Sequence, residues 1–218
     1  MSNYRRPHVA GGTYFITQVT YQRQPWLCSE LARTALRVAI ESVRQQYPFS
    51  IDAFVLLHDH FHCIWTLPPG DSDYSTRLRL IKGFVTKQCG NQLALPLAVC
   101  ASRQKRGERN LWQRRFWEHL IRDEKDFARH CDYIHYNPVA HGLCQVPQHW
   151  QFSSLHRLMA MGFMRRIGEW MSGGLRCRVG MLVSNWWRCV TTHPTRSAIA
   201  LTSFETMFLE NWLHSALV

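Results

Sequence analysis

Apolar and polar positions alternate in two stretches of the chain and recur at helical spacing in others. Thr13 to Gln24, TYFITQVTYQRQ, is rich in aromatic and β-branched residues and reads as a strand. Ser29 is placed to cap a helix predicted to run to about Gln46, with Leu31, Ala35, Val38 and Val43 on one side. Ile51 to Leu67, IDAFVLLHDHFHCIWTL, is the most β-like segment. Its length suits one strand, or two with a break around His58-Asp59, and Pro68-Pro69-Gly70 ends it. Ser75 to Asn91 reads as a helix, followed by a loop to about Asn110. Leu111 to Arg122 alternates loosely, as a strand does. Asp123 then caps a helix expected to stop at Asn137-Pro138, because a residue before proline is pushed out of helical geometry. A short helical segment follows from His149-Trp150 to Met164.

The order strand, helix, strands, helix, strand, helix argues for an α+β fold. It predicts a largely antiparallel sheet with helices on one face. From about Met171 the character changes. That tail has no lysine, holds Trp186, Trp187 and Trp212, and shows no clear period. Two readings stay open for it, a small helical extension or a degraded or frameshifted end of a reading frame.

Composition narrows the function. The 218 residues are 46% hydrophobic, enough for a substantial core, and carry a net charge of +11. Only Lys82, Lys87, Lys105 and Lys125 are lysines, so arginine supplies most of the 26 basic residues. Arginine's planar fork matches phosphate and stacks on bases, which points to nucleic acid. The helix 75–91 carries Arg77, Arg79, Lys82 and Lys87 with no acidic residue. A second basic stretch ends in Arg114 and Arg115, interleaved with Trp112, Phe116 and Trp117; of these aromatics Trp117 is expected in the core. None of the eight cysteines forms a C-x-x-C pair, so no zinc finger is signalled, and they read as reduced core residues of a cytoplasmic protein. No apolar run approaches membrane-spanning length, so no membrane association is expected.

The candidate chemistry lies in two motifs. Residues two apart on a strand face the same way, so His60 and His62 project side by side and can share one metal ion. On that reading His58 shares their face as a third candidate, while Phe61 and Cys63 point to the core. Tyr133 and Asn137 stand at i and i+4 on one helix face. Tyr133 can act as a covalent nucleophile and Asn137 can offer an oxygen to a hard metal, with Tyr136 the rival nucleophile.

HDHFHCIWTLP, LWQRRFWEHLIRDEKDF, YIHYNPVAHGL and WQFSSLHRL together resemble the REP-associated tyrosine transposases. These are single-tyrosine HUH transposases of bacterial insertion sequences. The similarity runs from about Thr13 to Leu158, so residues 1–165 are expected to form the transposase domain and 166–218 an uncharacterised Trp-rich extension. The resemblance implies a ferredoxin-like antiparallel sheet with the histidine pair on a central strand. It implies His60, His62 and Asn137 as ligands of a divalent metal, Mg2+ with Mn2+ the alternative, and Tyr133 as nucleophile. His58 departs from the family pattern, which commonly has proline there.

The implied activity is metal-dependent cutting and rejoining of single-stranded DNA at hairpin-forming palindromic repeats, through a 5′-phosphotyrosine intermediate. Arg77, Arg79, Lys82, Lys87, Arg114 and Arg115 are the expected DNA contacts, in a monomer or homodimer. Two alternatives stand beside it. One is a catalytically silent hairpin-binding regulator with the same fold. The other is a phosphodiesterase using His58, His60 and His62 with activated water.

Overall fold

Four strands form one antiparallel sheet in the order β2-β3-β1-β4. They are β1 (Thr13–Val19), β2 (Ser50–Leu56), β3 (His60–Thr66) and β4 (Trp117–Leu120). Two long helices, α1 (Glu30–Gln46) and α2 (Tyr74–Leu93), complete a β-α-β-β-α-β order. This order is the ferredoxin-like topology, and the α+β expectation holds. The structure, a computed structural model, describes residues 6–94 and 99–160. The predicted extension 166–218 therefore lies outside the described residues. The chain divides into two units, residues 1–121 and 122–218.

In the first unit, strand parity separates two faces. Tyr14, Ile16 and Gln18 share one face with Trp65, Cys63 and Phe61, their cross-strand partners. The helices cover that face. Tyr74 of α2 packs on Tyr14 with ring centres 4.2 Å apart, and Lys82 Nζ donates to Gln18 Oε1 at 3.0 Å. Helix α1 begins where Ser29 Oγ accepts from Ala32 N. It buries Ala32, Ala35, Leu36, Ala39 and Val43. The predicted stripe is thus rotated: Leu31 and Val38 are exposed, because small alanines line the packed side.

The 51–67 segment breaks at His58-Asp59 into a tight hairpin, closed by Leu57 N donating to His60 O at 2.8 Å. Neither loop residue has the positive φ that usually matches the strand twist. Outside bonds hold the turn instead: Thr20 N donates to Asp59 O and Leu27 N to His58 O. Two predicted strands are shorter than expected. The first ends at Val19, where a 3-10 turn (Tyr21–Arg23) begins, and the 111–122 stretch is β only over Trp117–Leu120. Upstream, Leu111 and Trp112 are drawn into the core instead. The described part of the loop before it contains a short helix, α3 (Ala101–Gln104).

The second unit is described through residue 160. Helix α4 (Glu124–Ala140) starts at Asp123, whose carboxylate accepts from Asp126 N at 2.8 Å. It does not stop at Asn137. Pro138 lies inside it, near the end, where a missing N–H costs only one bond. The helix closes instead at Gly142, with φ of +68°. Leu143 N donates to Pro138 O and Gly142 N to Val139 O, the paired bonds of a glycine C-cap. A short helix α5 (Leu155–Ala160) follows.

Arg77 is a structural arginine, and it is withdrawn from the expected DNA contacts. It is 1% exposed and donates to Asp71 Oδ2 at 2.6 Å and to the carbonyls of Tyr47, Pro48 and Asp73. A guanidinium spent this way cannot reach phosphate. Arg77→Ala should leave these acceptors without a donor and cost about 3 kcal/mol of unfolding free energy. Exposed Arg79→Ala should stay within about 0.5 kcal/mol of wild type. Urea unfolding of both variants checks this.

Candidate active site

His60 and His62 lie on the sheet face away from α1 and α2, as strand parity requires. Their rings are 4.9 Å apart and nearly perpendicular, and each residue is 4% exposed. Each Nδ1 has a defined neighbour. Asp59 Oδ1 lies 2.6 Å from His60 Nδ1, and a carboxylate can only accept, so that nitrogen carries the proton. Thr17 Oγ1 lies 2.7 Å from His62 Nδ1, because Thr17 is the cross-strand partner of His62.

Asp59 is itself oriented. Arg23 Nη1 donates to its other oxygen at 2.8 Å. Burial alone would raise the Asp59 carboxyl, but hydrogen bonds and charge from His60 and Arg23 hold it below its usual range. Gln22 and Arg23 take left-handed backbone angles, φ of 51° and 53°, in the turn that delivers this guanidinium. Such conformations cost on the order of 1–3 kcal/mol each and persist only where the surroundings impose them.

His58 is not on the strand. It sits exposed in the hairpin turn, so it does not share the face of His60 and His62. The three-histidine arrangement fails for that reason. The two imidazoles form a pair of nitrogen donors, a set able to take a borderline divalent ion.

On α4, Tyr133 and Tyr136 are both about half exposed, and Asn137 is 3% exposed. The Asn137 Oδ1 atom is buried and has no hydrogen-bond partner among the described residues. A buried acceptor left without a partner costs about 1–3 kcal/mol. His135, between the tyrosines, is fully buried, with Nε2 3.0 Å from Ser154 Oγ. Ser153 Oγ accepts from Leu155 N at 3.2 Å, so the paired serines both anchor the start of α5 and meet α4.

The remaining expected DNA contacts divide by exposure. Arg79, Lys87, Arg114 and Arg115 are exposed. Arg114 pairs with Glu108 at 2.6 Å. Lys82 is largely enclosed and donates to Gln18 Oε1 and to Gln113 O; burial, with the charges of Arg103 and Arg6 against that of Glu108, brings its ammonium down to about 8. The aromatic assignment reverses: Trp112 is buried at 5% exposure, while Trp117 stands 55% exposed on β4. Among the described cysteines, Cys63, Cys89 and Cys131 are buried as expected, but Cys100 is exposed. Among the described residues no helix is long and apolar enough to cross a membrane.

Comparison with known proteins adds an independent line. No family model matches the chain. It is 43% identical over 162 residues to the REP-associated tyrosine transposase of Escherichia coli K12, covering 74% of this chain and 87% of that protein. A Haemophilus influenzae protein named for the same family is 42% identical over 157 residues, covering 72% and 87%. A solved structure of a REP-associated tyrosine transposase bound to a REP hairpin superposes with a TM-score of 0.65 at 41% identity, covering 83% of this chain and 97% of that one. The HUH-type α+β fold implied by the sequence motifs is thereby established.

Burial, reinforced by the positive charges of Arg157 and His156, brings His135 down to about 3. The unfolded chain therefore binds a proton near pH 6.5 that the folded chain refuses. Stability is full above that pH and falls as pH drops towards 3. Between pH 7 and pH 5 this single group should remove about 2 kcal/mol. Denaturant unfolding of wild type and His135→Gln at both pH values checks it: the wild type should lose more than the variant.

Proposed function

The chain belongs to the REP-associated tyrosine transposases, and on that premise we propose that it cuts and rejoins single-stranded DNA at hairpin-forming palindromic repeats. The observation that carries the reading is the anchored histidine pair. With Nδ1–H of His60 donating to Asp59, the His60 Nε2 keeps the lone pair that a metal needs, and Thr17 Oγ1, an oxygen able to accept from His62 Nδ1–H, would free His62 Nε2 for the same role. His60 and His62, with Asn137 Oδ1, would hold the ion, Mg2+ or Mn2+. The donor chemistry fits, since Asn137 offers an oxygen that no described protein group engages. When bound, the ion supplies Lewis-acid polarisation of the scissile phosphate.

Tyr133 is the nucleophile in this reading. Its exposure supports access to DNA, and its i, i+4 relation to Asn137 favours it over Tyr136. The phenol oxygen attacks phosphorus and gives up its proton. The bond from phosphorus to the 3′ oxygen breaks, and that oxygen leaves as a 3′-hydroxyl. The 5′-phosphotyrosine conserves one phosphodiester-type bond. A second 3′-hydroxyl can therefore attack it, reseal the strand and release Tyr133 without ATP.

Residues 1–165 would form the transposase domain, with 166–218 an extension to it. The relative bound to a REP hairpin supports the same class of DNA partner here. Arg79, Lys87, Arg114 and Arg115 are proposed to meet its phosphates, whereas Lys82, expected there from the sequence, is spent on Gln18 and Gln113; binding should weaken steeply as salt rises.

Two measurements test the reading. A labelled hairpin oligonucleotide with an unpaired flank, incubated with Mg2+ or Mn2+, should yield a DNA–protein adduct that survives denaturation. Tyr133→Phe should abolish it while Tyr136→Phe retains it. Cleavage without an adduct would favour activated water, and binding without cleavage the silent regulator. Asp59→Asn should raise the metal concentration for half-maximal cutting by about 10–100-fold; an unchanged requirement would remove His60 from the metal site.

A further inference from the structure

We propose that Trp117 is a stacking platform for an unpaired base of the DNA flank, beside the histidine pair. The inference deepens the DNA-cutting reading and rests on it for the substrate. Its basis is a run of rings along the face opposite α1 and α2. His60 and His62 lie 4.9 Å apart; Phe15 stacks on His62 at 5.5 Å and 25°. Trp117 meets Phe15 edge-on at 5.5 Å, and His119 lies parallel to Trp117 at 6.1 Å and 5°.

Register explains the run. Thr17 pairs with His62 on one side and with Trp117 on the other, so the three residues form one row across β3, β1 and β4. Their backbones are thus two strand spacings apart, roughly 10 Å. A nucleotide whose phosphate lies at the histidines can reach across that gap with its sugar and base.

The row changes from buried to open along its length. Phe15 and the two histidines are each under 5% exposed, whereas Trp117 is 55% exposed on the edge strand. An indole left this open yet braced by Phe15 has its hydrophobic area available to a partner. Arg114 and Arg115, exposed in the loop just before it, supply the charge that a phosphate backbone requires. Exposed cations next to a braced aromatic are the pattern that binds single strands without reading sequence.

The test is equilibrium binding, in the Tyr133→Phe background so that no cutting intervenes. Two probes are used: a perfect-stem DNA hairpin with an unpaired thymidine flank, and the same hairpin without it. Trp117→Ala should weaken binding of the flanked hairpin about ten-fold or more and leave the flankless one unchanged. Trp117→Phe should recover most of the loss. One abasic position in the flank should weaken wild-type binding similarly, and add nothing in Trp117→Ala.

Equal loss on both probes, or no loss on either, would overturn the proposal. So would a change in sedimentation with unchanged affinity, which would make Trp117 a contact between copies of the chain. Because the readout is binding, failure to cut DNA would sink the enzymatic reading and leave this one standing.

Discussion

The register in which β1 pairs with β3 decides which side of the sheet His60 and His62 face. Thr17 opposite His62 and Val19 opposite His60 put both rings on the side away from α1 and α2. A slip of one residue would turn them into the helix-covered core and bring Phe61 and Cys63 out. The register also carries Thr17 Oγ1 to His62 Nδ1, and in β4 it places Trp117 in the same row. The His58-Asp59 hairpin then supplies Asp59 to His60. Pairing of strands thus sets, in one step, both the two imidazoles and the groups that orient them.

Basic charge has two uses in this chain. Arg77 and Arg103 are buried and donate to backbone carbonyls, so they hold turns in place. Arg79, Lys87, Arg114 and Arg115 keep their charge at the surface. A sum over the sequence counts both kinds alike. The charge available at the surface is therefore smaller than the net +11 suggests, and more localised.

Alternation and caps made most of the fold legible before any coordinates. Ser29 and Asp123 cap the helices they were expected to cap, and the 51–67 segment breaks at His58-Asp59. What pattern could not supply was tertiary context. Trp112 and Trp117 look equivalent in RRFW and its surroundings, yet one is core and the other exposed, because only Trp117 sits on an edge strand facing away from the helices. His58 belonged to the alternation on paper and to a turn in space. Pro138 suggested a stop, but near a helix end its missing N–H costs little, and Gly142 sets the boundary. In the site, the histidine pair and the Tyr133–Asn137 spacing were readable from periodicity. Thr17 was not, since its role depends on a partner 45 residues away. Asp59 carried a signal, an acid next to His60, that only the hairpin geometry interprets.

The central claim is that a tyrosine of α4, working with the anchored histidines, takes the 5′ phosphate of a cut strand. The most direct measurement is peptide mapping by mass spectrometry after trapping the protein on a hairpin oligonucleotide with Mn2+ and trimming the DNA with nuclease. The account predicts a nucleotide mass on the peptide containing Tyr133, localised by fragmentation to that side chain. A modification on Tyr136, or cleaved DNA with no modified peptide, would contradict it.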